Sequence, residues 1–152
     1  MYDFDLSKEF ASKIHAAPKN CYENARTAFL RYKKLYGGQY IEGFAVVPLG
    51  SSSTKLDFEH AWIELEDGRI IDPTWVLLKH RAVEYFPGIK LTYDEFKAWR
   101  KEKKEFPFFY NFGFGGYSHP GFREARKSAM IAGGYKPKLG YPSFFNTSSI
   151  SL

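Results

Sequence analysis

One cysteine stands in 152 residues. A single thiol cannot be half of an internal disulfide, which excludes a disulfide-stapled scaffold and suits a reducing compartment. The histidines number four, and none joins a cysteine cluster at metal-ligand spacing, so neither a metal site nor a cofactor is expected. No apolar run is long enough to span a bilayer. Residues 1–14 mix Asp3, Asp5, Lys8, Glu9 and Lys13 with apolar positions and lack the core of a signal peptide. Internal repeats are missing as well. Together these absences predict a cytoplasmic protein with no membrane partner.

What is abundant is aromatic, at 19% of the chain. The length suffices for one domain with a substantial core. The net charge of +5 is unevenly spread: residues 97–152 hold ten Lys/Arg against three Asp/Glu, and the other 96 hold twelve against fourteen. We expect a single domain over 1–152, with a core at about 1–96 and a basic, aromatic C-terminal extension, 97–152, packed against it. The extension offers a surface for an acidic partner. A solvated basic region is the plainer reading, and nucleic acid is the less favoured partner, because basic patches alone are weak signals.

The hydrophobic pattern predicts an α+β fold. A first helix of about ten residues starts near Asp5-Leu6-Ser7 and stops before Pro18. A second runs from about Cys21 to Tyr36, with Ala25, Ala28, Phe29, Tyr32 and Leu35 at helical spacing, and Gly37-Gly38 ends it. Strands follow at Gln39–Val47 and Leu56–Glu66, and an Asp67-Gly68 turn returns the chain as a third strand, Arg69–Asp72. Val76–Phe86 reads as a short helix or irregular. A Thr92 cap opens a helix to about Lys104, and Phe122–Ala132 forms another. The Phe106–Tyr117 segment reads as a buried irregular loop or a binding surface.

Three polar residues carry the chemistry. A thiol becomes a useful nucleophile when a helix N-terminus and a neighbouring imidazolium favour its anion, and Cys21 stands where a helix should begin. Its partner should be a histidine held by a third group. On the second strand Phe58, His60, Trp62 and Glu64 share one face, while Glu59, Ala61, Ile63 and Leu65 share the other and point to the interior. The hairpin brings Asp72 back alongside, roughly across from Ile63, within feasible reach of His60. Core packing of Cys21, a sheet role for His60 and turn capping by Asp72 before Pro73 are the plainer alternatives.

Cys21-Tyr22-x-x-Ala25, Tyr40-Ile41-Glu42-Gly43-Phe44, His60-Ala61-Trp62-Ile63-Glu64 and Ile71-Asp72-Pro73-Thr74 resemble the core of the transglutaminase-like superfamily of papain-like cysteine enzymes. The resemblance covers residues 18–75, about half the chain. It implies N-terminal helices, with the cysteine at a helix start, packed on an antiparallel sheet. It also implies Cys21 as nucleophile, His60 as general base and acid, and Asp72 as the group that orients His60. Candidate oxyanion donors are Asn20, by proximity, and His15, which lies six residues before the cysteine. Trp62 and Trp75 are candidate cleft walls. The expected activity is acyl transfer from a peptide, protein or other amide-bearing substrate, with hydrolysis (protease, peptidase or amidase) preferred. Transglutaminase-type amine transfer and arylamine-type acetyl transfer are the enzymatic alternatives. A non-catalytic binding protein that uses its basic, aromatic C-terminal half is the alternative from another class.

Overall fold

The computed structural model describes residues 1–48, 50, 54–102 and 104–135. Four helices, α1 (Phe4–Lys13), α2 (Cys21–Arg31), α3 (Tyr93–Lys101) and α4 (Pro120–Ala132), accompany four strands, β1 (Gln39–Pro48), β2 (Lys55–Glu64), β3 (Ile70–Ile71) and β4 (Glu84–Thr92). The strands form one antiparallel sheet in the order β3-β2-β1-β4. The architecture is α+β.

Side-chain alternation divides the sheet into two faces. On one, Tyr40, Phe44, Val46, Ala61 and Ile63 pack against Phe10 of α1, Ala25, Ala28 and Phe29 of α2, Phe96 of α3 and Phe122, Ala125 and Ala129 of α4. Phe108 and Phe109 join the same core, so part of the aromatic segment is buried, whereas Tyr110 is exposed. Each such ring removed from water contributes about 1.5–3 kcal/mol. On the other face Ala45 and Val47 meet Trp75, with Val83 and Tyr85 against them.

Several boundaries differ from the sequence reading. The cap of α1 is Asp3, whose carboxylate accepts from the Leu6 N–H at 2.9 Å. This frees Ser7 for a buried role described below. Helix α2 stops at Arg31 because Tyr32 is extended, and a 3-10 turn at Lys33–Leu35 then carries Leu35 fully into the core. β3 is two residues long, and Ile63 pairs with Ile71 rather than lying opposite Asp72. Val76–Phe86 is neither one helix nor wholly irregular: a 3-10 turn spans Trp75–Leu78 and β4 begins at Glu84. The α3 helix opens on a Thr92–Glu95 capping box and ends three residues early, at Lys101.

β4 is the element that the sequence reading lacks. Pro87-Gly88 resembles a turn, yet β4 is an edge strand, where proline is tolerated. A bulge opposite Glu42 and Gly43 absorbs the irregularity. There the backbone of β4 runs so close that a Cβ on Gly43 would stand 2.2 Å from the Phe86 carbonyl oxygen. Lys136 and Lys138 of the basic region lie outside the described residues, as does residue 103.

Candidate active site

Cys21 is the first residue of α2, a partly exposed thiol at the helix N-terminus. The placement has a local cause. Lys19 adopts φ 64° and Asn20 takes the N-cap position, so the chain turns sharply into the helix. Asn24, one turn in, then ties the entry down. Its amide nitrogen donates to the Ala17 carbonyl at 2.8 Å and to Thr74 Oγ1 at 3.0 Å, and its oxygen accepts from the Ala17 N–H at 3.2 Å. One buried side chain thus joins the loop before Cys21 to the loop after Asp72. The sequence reading overlooked Asn24, although an asparagine in a helix's first turn signals local backbone bonding.

His60 is 1% exposed and rises from β2 on the face away from the main core. β3 pairs only with Ile63 and Glu64, so the half of β2 that bears His60 forms the edge of the sheet on that side. Nε2 of His60 donates to Asp72 Oδ2 at 2.7 Å, and the side chain lies close enough to Cys21 for the thiol to bear on its titration. Trp62, Trp75 and Tyr85 surround the imidazole with ring centroids 6.0, 5.2 and 6.5 Å away.

Asp72 is fully buried and saturated with donors. Besides His60, Oδ2 accepts from the Tyr85 hydroxyl at 2.8 Å, and Oδ1 accepts from the backbone N–H groups of Thr74 and Trp75 at 3.0 Å each. Its own N–H donates to Ser7 Oγ at 2.9 Å, and Ser7 in turn donates to the Asp3 carbonyl at 2.6 Å. Turn capping and histidine binding therefore coexist in Asp72, one oxygen for the turn and the other for the ring.

Burial by itself pushes the His60 pKa down, but the charge and hydrogen bond of Asp72, joined by the influence of the nearby Cys21, outweigh it and raise the pKa to about 9. The imidazole therefore carries its proton at neutral pH. It can give that proton up to a neighbour only if the neighbour becomes the better base.

A cleft of about 440 Å³ opens over the pair, lined by Lys19, Cys21, Phe58, Glu59, His60, Thr74, Trp75 and Leu78. Phe58 and Leu78 keep 40% and 46% of their surface exposed, so the cleft has apolar side chains open to solvent. The structure thus brings Cys21, His60, Asp72 and Trp75 to one place. Two expected members stand elsewhere. Trp62 is 1% exposed and packs behind His60 and against Tyr85, so it supports the imidazole and is no wall of the cleft. His15 adopts φ 53° where α1 ends and lines a separate groove between α1 and the Trp75–Leu78 turn, away from the cleft lining. Asn20 is exposed at the N-cap, and its side chain makes no capping bond.

Tyr85 and Ser7 were invisible as site residues. Tyr85 belongs to the unexpected strand, and Ser7 is fixed by tertiary contact alone.

Among the described residues no group of three or more His, Cys, Asp or Glu is placed to hold a metal ion, and no helix is long and apolar enough to cross a membrane. No family model, curated protein or solved structure matches the chain.

Proposed function

We propose that the protein is a cysteine-nucleophile acyl-transfer enzyme, a small papain-like core of the transglutaminase-like type, acting on an amide or peptide bond by hydrolysis. The observation that carries the reading is His60, hydrogen-bonded to the buried Asp72 and sharing the lining of an open cleft with the thiol of Cys21 at a helix start. A histidine between an acid and a thiol is the arrangement that activates a sulfur nucleophile.

In the reaction, Cys21 Sγ, with its proton on His60, attacks the carbonyl carbon and forms a C–S bond. The C–N bond breaks as His60 protonates the leaving amine. Water then gives its proton to His60 while its oxygen attacks the thioester. The C–S bond breaks, the acid leaves, and the sulfur is restored. The Cys21 backbone N–H, unbonded within the helix as every first-turn donor is, points to the developing oxyanion, and Asn20 is the side-chain candidate beside it. Phe58, Trp75 and Leu78 make the cleft wall apolar. That favours substrates with an aliphatic or aromatic side chain next to the scissile carbonyl.

The test is selective alkylation. At pH 6, iodoacetamide should label Cys21 at least about tenfold faster than it labels a free small thiol, and His60→Ala should erase the difference. Labelling of the native protein at the ordinary thiol rate would refute the reading. An acyl-enzyme detected by mass spectrometry with activated esters of phenylalanine or leucine, and not with those of lysine or glutamate, would define the acyl side.

A further inference from the structure

A second groove, larger than the cleft at Cys21, lies elsewhere. It encloses about 670 Å³ between α1 and the Trp75–Leu78 turn, a size typical of small-molecule sites. Phe4, Val76 and Leu77 supply apolar walls, and Lys8, His15, Lys79 and Arg81 stand around them. No carboxylate lines it. Of the acids nearby in sequence, Asp3 pairs with Arg69, Glu9 with Lys13 and Glu84 with Lys55, and Asp5, exposed in the first turn of α1, is not among the lining residues. Among the described residues, Lys8, Lys79 and Arg81 have no ion-pair partner. The Arg81 guanidinium lies 3.7 Å from the centre of the Phe4 ring, so a cation and an aromatic plate form one wall together.

Three unpaired cations and a histidine around an apolar cavity call for one kind of occupant. Like charges gathered with no counter-charge repel, and an anion relieves that repulsion. The apolar walls gain from covering hydrocarbon. We propose that this groove is a binding site for a small organic anion, a carboxylate or phosphate head on an apolar body, distinct from the cleft at Cys21. The two sites share structural elements. Val76 and Leu77 line the groove while Trp75 and Leu78 of the same turn line the cleft, and His15 and Ala16 lie on the groove side of the loop whose far end holds Lys19 and Cys21. An occupant therefore bears on the turn and loop that frame the thiol. The site itself does not depend on Cys21 being catalytic.

The test uses the full chain, isotopically labelled, titrated by NMR with submicellar decanoate and, in a separate arm, decyl phosphate. Decanol and decyltrimethylammonium serve as neutral and cationic controls. Saturable shifts at the amides of Lys8, Ala16, Val76, Leu77 and Arg81 with either anion are expected, together with at least tenfold weaker binding of both controls. The stronger arm identifies the head group. Lys8→Glu combined with Arg81→Glu, both at exposed positions, should weaken the anion at least tenfold with an unchanged remaining spectrum. The single variant Lys79→Glu gives a second reading should the pair perturb α1. No saturable shift, equal binding of decanol, or shifts centred on Phe58 and Leu78 instead would each overturn the proposal. So would tighter binding of an acidic peptide than of either amphiphile, since that would make the groove a peptide surface.

Discussion

His60 and Glu42 are two buried ionisable groups on neighbouring strands, on opposite faces of one sheet, and they serve different ends. Glu42, fully buried, sits in the helix-covered core. Its two oxygens accept from the Tyr40 hydroxyl at 2.8 Å and from the backbone N–H groups of Phe108 and Phe109 at 3.0 and 2.7 Å. Those bonds pin the aromatic segment to the sheet. Burial raises its pKa to about 7, against the lowering effect of these donors. Glu42 lines none of the described clefts, and the partners bonded to it are a phenol and two backbone amides. His60 is as deeply buried and as strongly shifted, but it shares an open groove with a partly exposed thiol. Burial and a displaced pKa thus mark both a structural clamp and a candidate catalytic group. Access and a nucleophile are what separate them.

Removing the sulfur should produce the largest effect. Cys21→Ala is expected to lower turnover of an amide substrate by about 10⁴-fold or more. Its unfolding transition should stay within about 1 kcal/mol of the native protein's, since Cys21 is partly exposed and stands outside the buried core clusters. Activity that survives in this variant would move the chemistry away from the thiol altogether.

Next comes Asp72→Asn. The amide keeps the shape but cannot hold the imidazolium, and a fall in turnover on the order of 10³–10⁴-fold is expected. This variant should also lose stability by about 3 kcal/mol, because His60 and Tyr85 are left beside an imperfect acceptor. Urea unfolding measured alongside kinetics separates the two losses. A stability loss without a change in Cys21 alkylation would place Asp72 with Glu42, as a clamp only.

The two groups also predict separable limbs in the pH dependence of stability. His60 has a folded pKa near 9, above its ordinary 6.5, and Glu42 has one near 7, above its ordinary 4.5. A group whose folded pKa is raised contributes fully below its unfolded value and loses that contribution as pH rises through the folded one. Stability should therefore fall from about pH 4.5 to 7 through Glu42 and from about pH 6.5 to 9 through His60, by about 3 kcal/mol each. Glu42→Gln should flatten the first limb and leave the second, while His60→Gln should do the reverse. The urea midpoint followed across pH 4–10 reads both. Loss of both limbs in either variant, or of the same limb in both, would show the sites to be coupled and would end the contrast drawn between them.

Much of the site could be read from the chain because its cues were local. The positions before Cys21 promised a helix start, alternation along β2 set His60 apart from Ala61 and Ile63, and Asp67-Gly68 turned the chain back to Asp72. The misreadings arose where tertiary contact overrode local pattern. Val76–Phe86 read as a short helix or irregular, so β4 and with it Tyr85 went unseen. Alternation put Trp62 on the face of His60, as found, but could not show that Tyr85 would pack against it. The spacing of His15 from Cys21 suggested a shared site, yet its left-handed backbone turns the side chain toward α1. No periodicity could have joined Ser7 to Asp72, 65 residues away.

Ser7 offers the smallest and most discriminating test. It is fully buried, accepts from the Asp72 N–H and touches neither the thiol nor the imidazole through any hydrogen bond described. Ser7→Ala leaves that N–H without an acceptor, a loss of about 1–3 kcal/mol. If Asp72 is held in place for the sake of His60, the slack should also reach the sulfur: alkylation of Cys21 at pH 6 should slow by about two- to fivefold, and the alkaline limb of stability should shift toward lower pH as the hold on the imidazolium weakens. Glu42→Gln, with a comparable stability loss in the opposite face of the same sheet, should leave the alkylation rate within about twofold of native. Equal slowing in both variants would mean that the thiol senses general destabilisation, and the separation of clamp from reactive site would fail. Slowing in Ser7→Ala alone would show that the chain from Asp3 through Ser7 and Asp72 to His60 transmits position to the nucleophile.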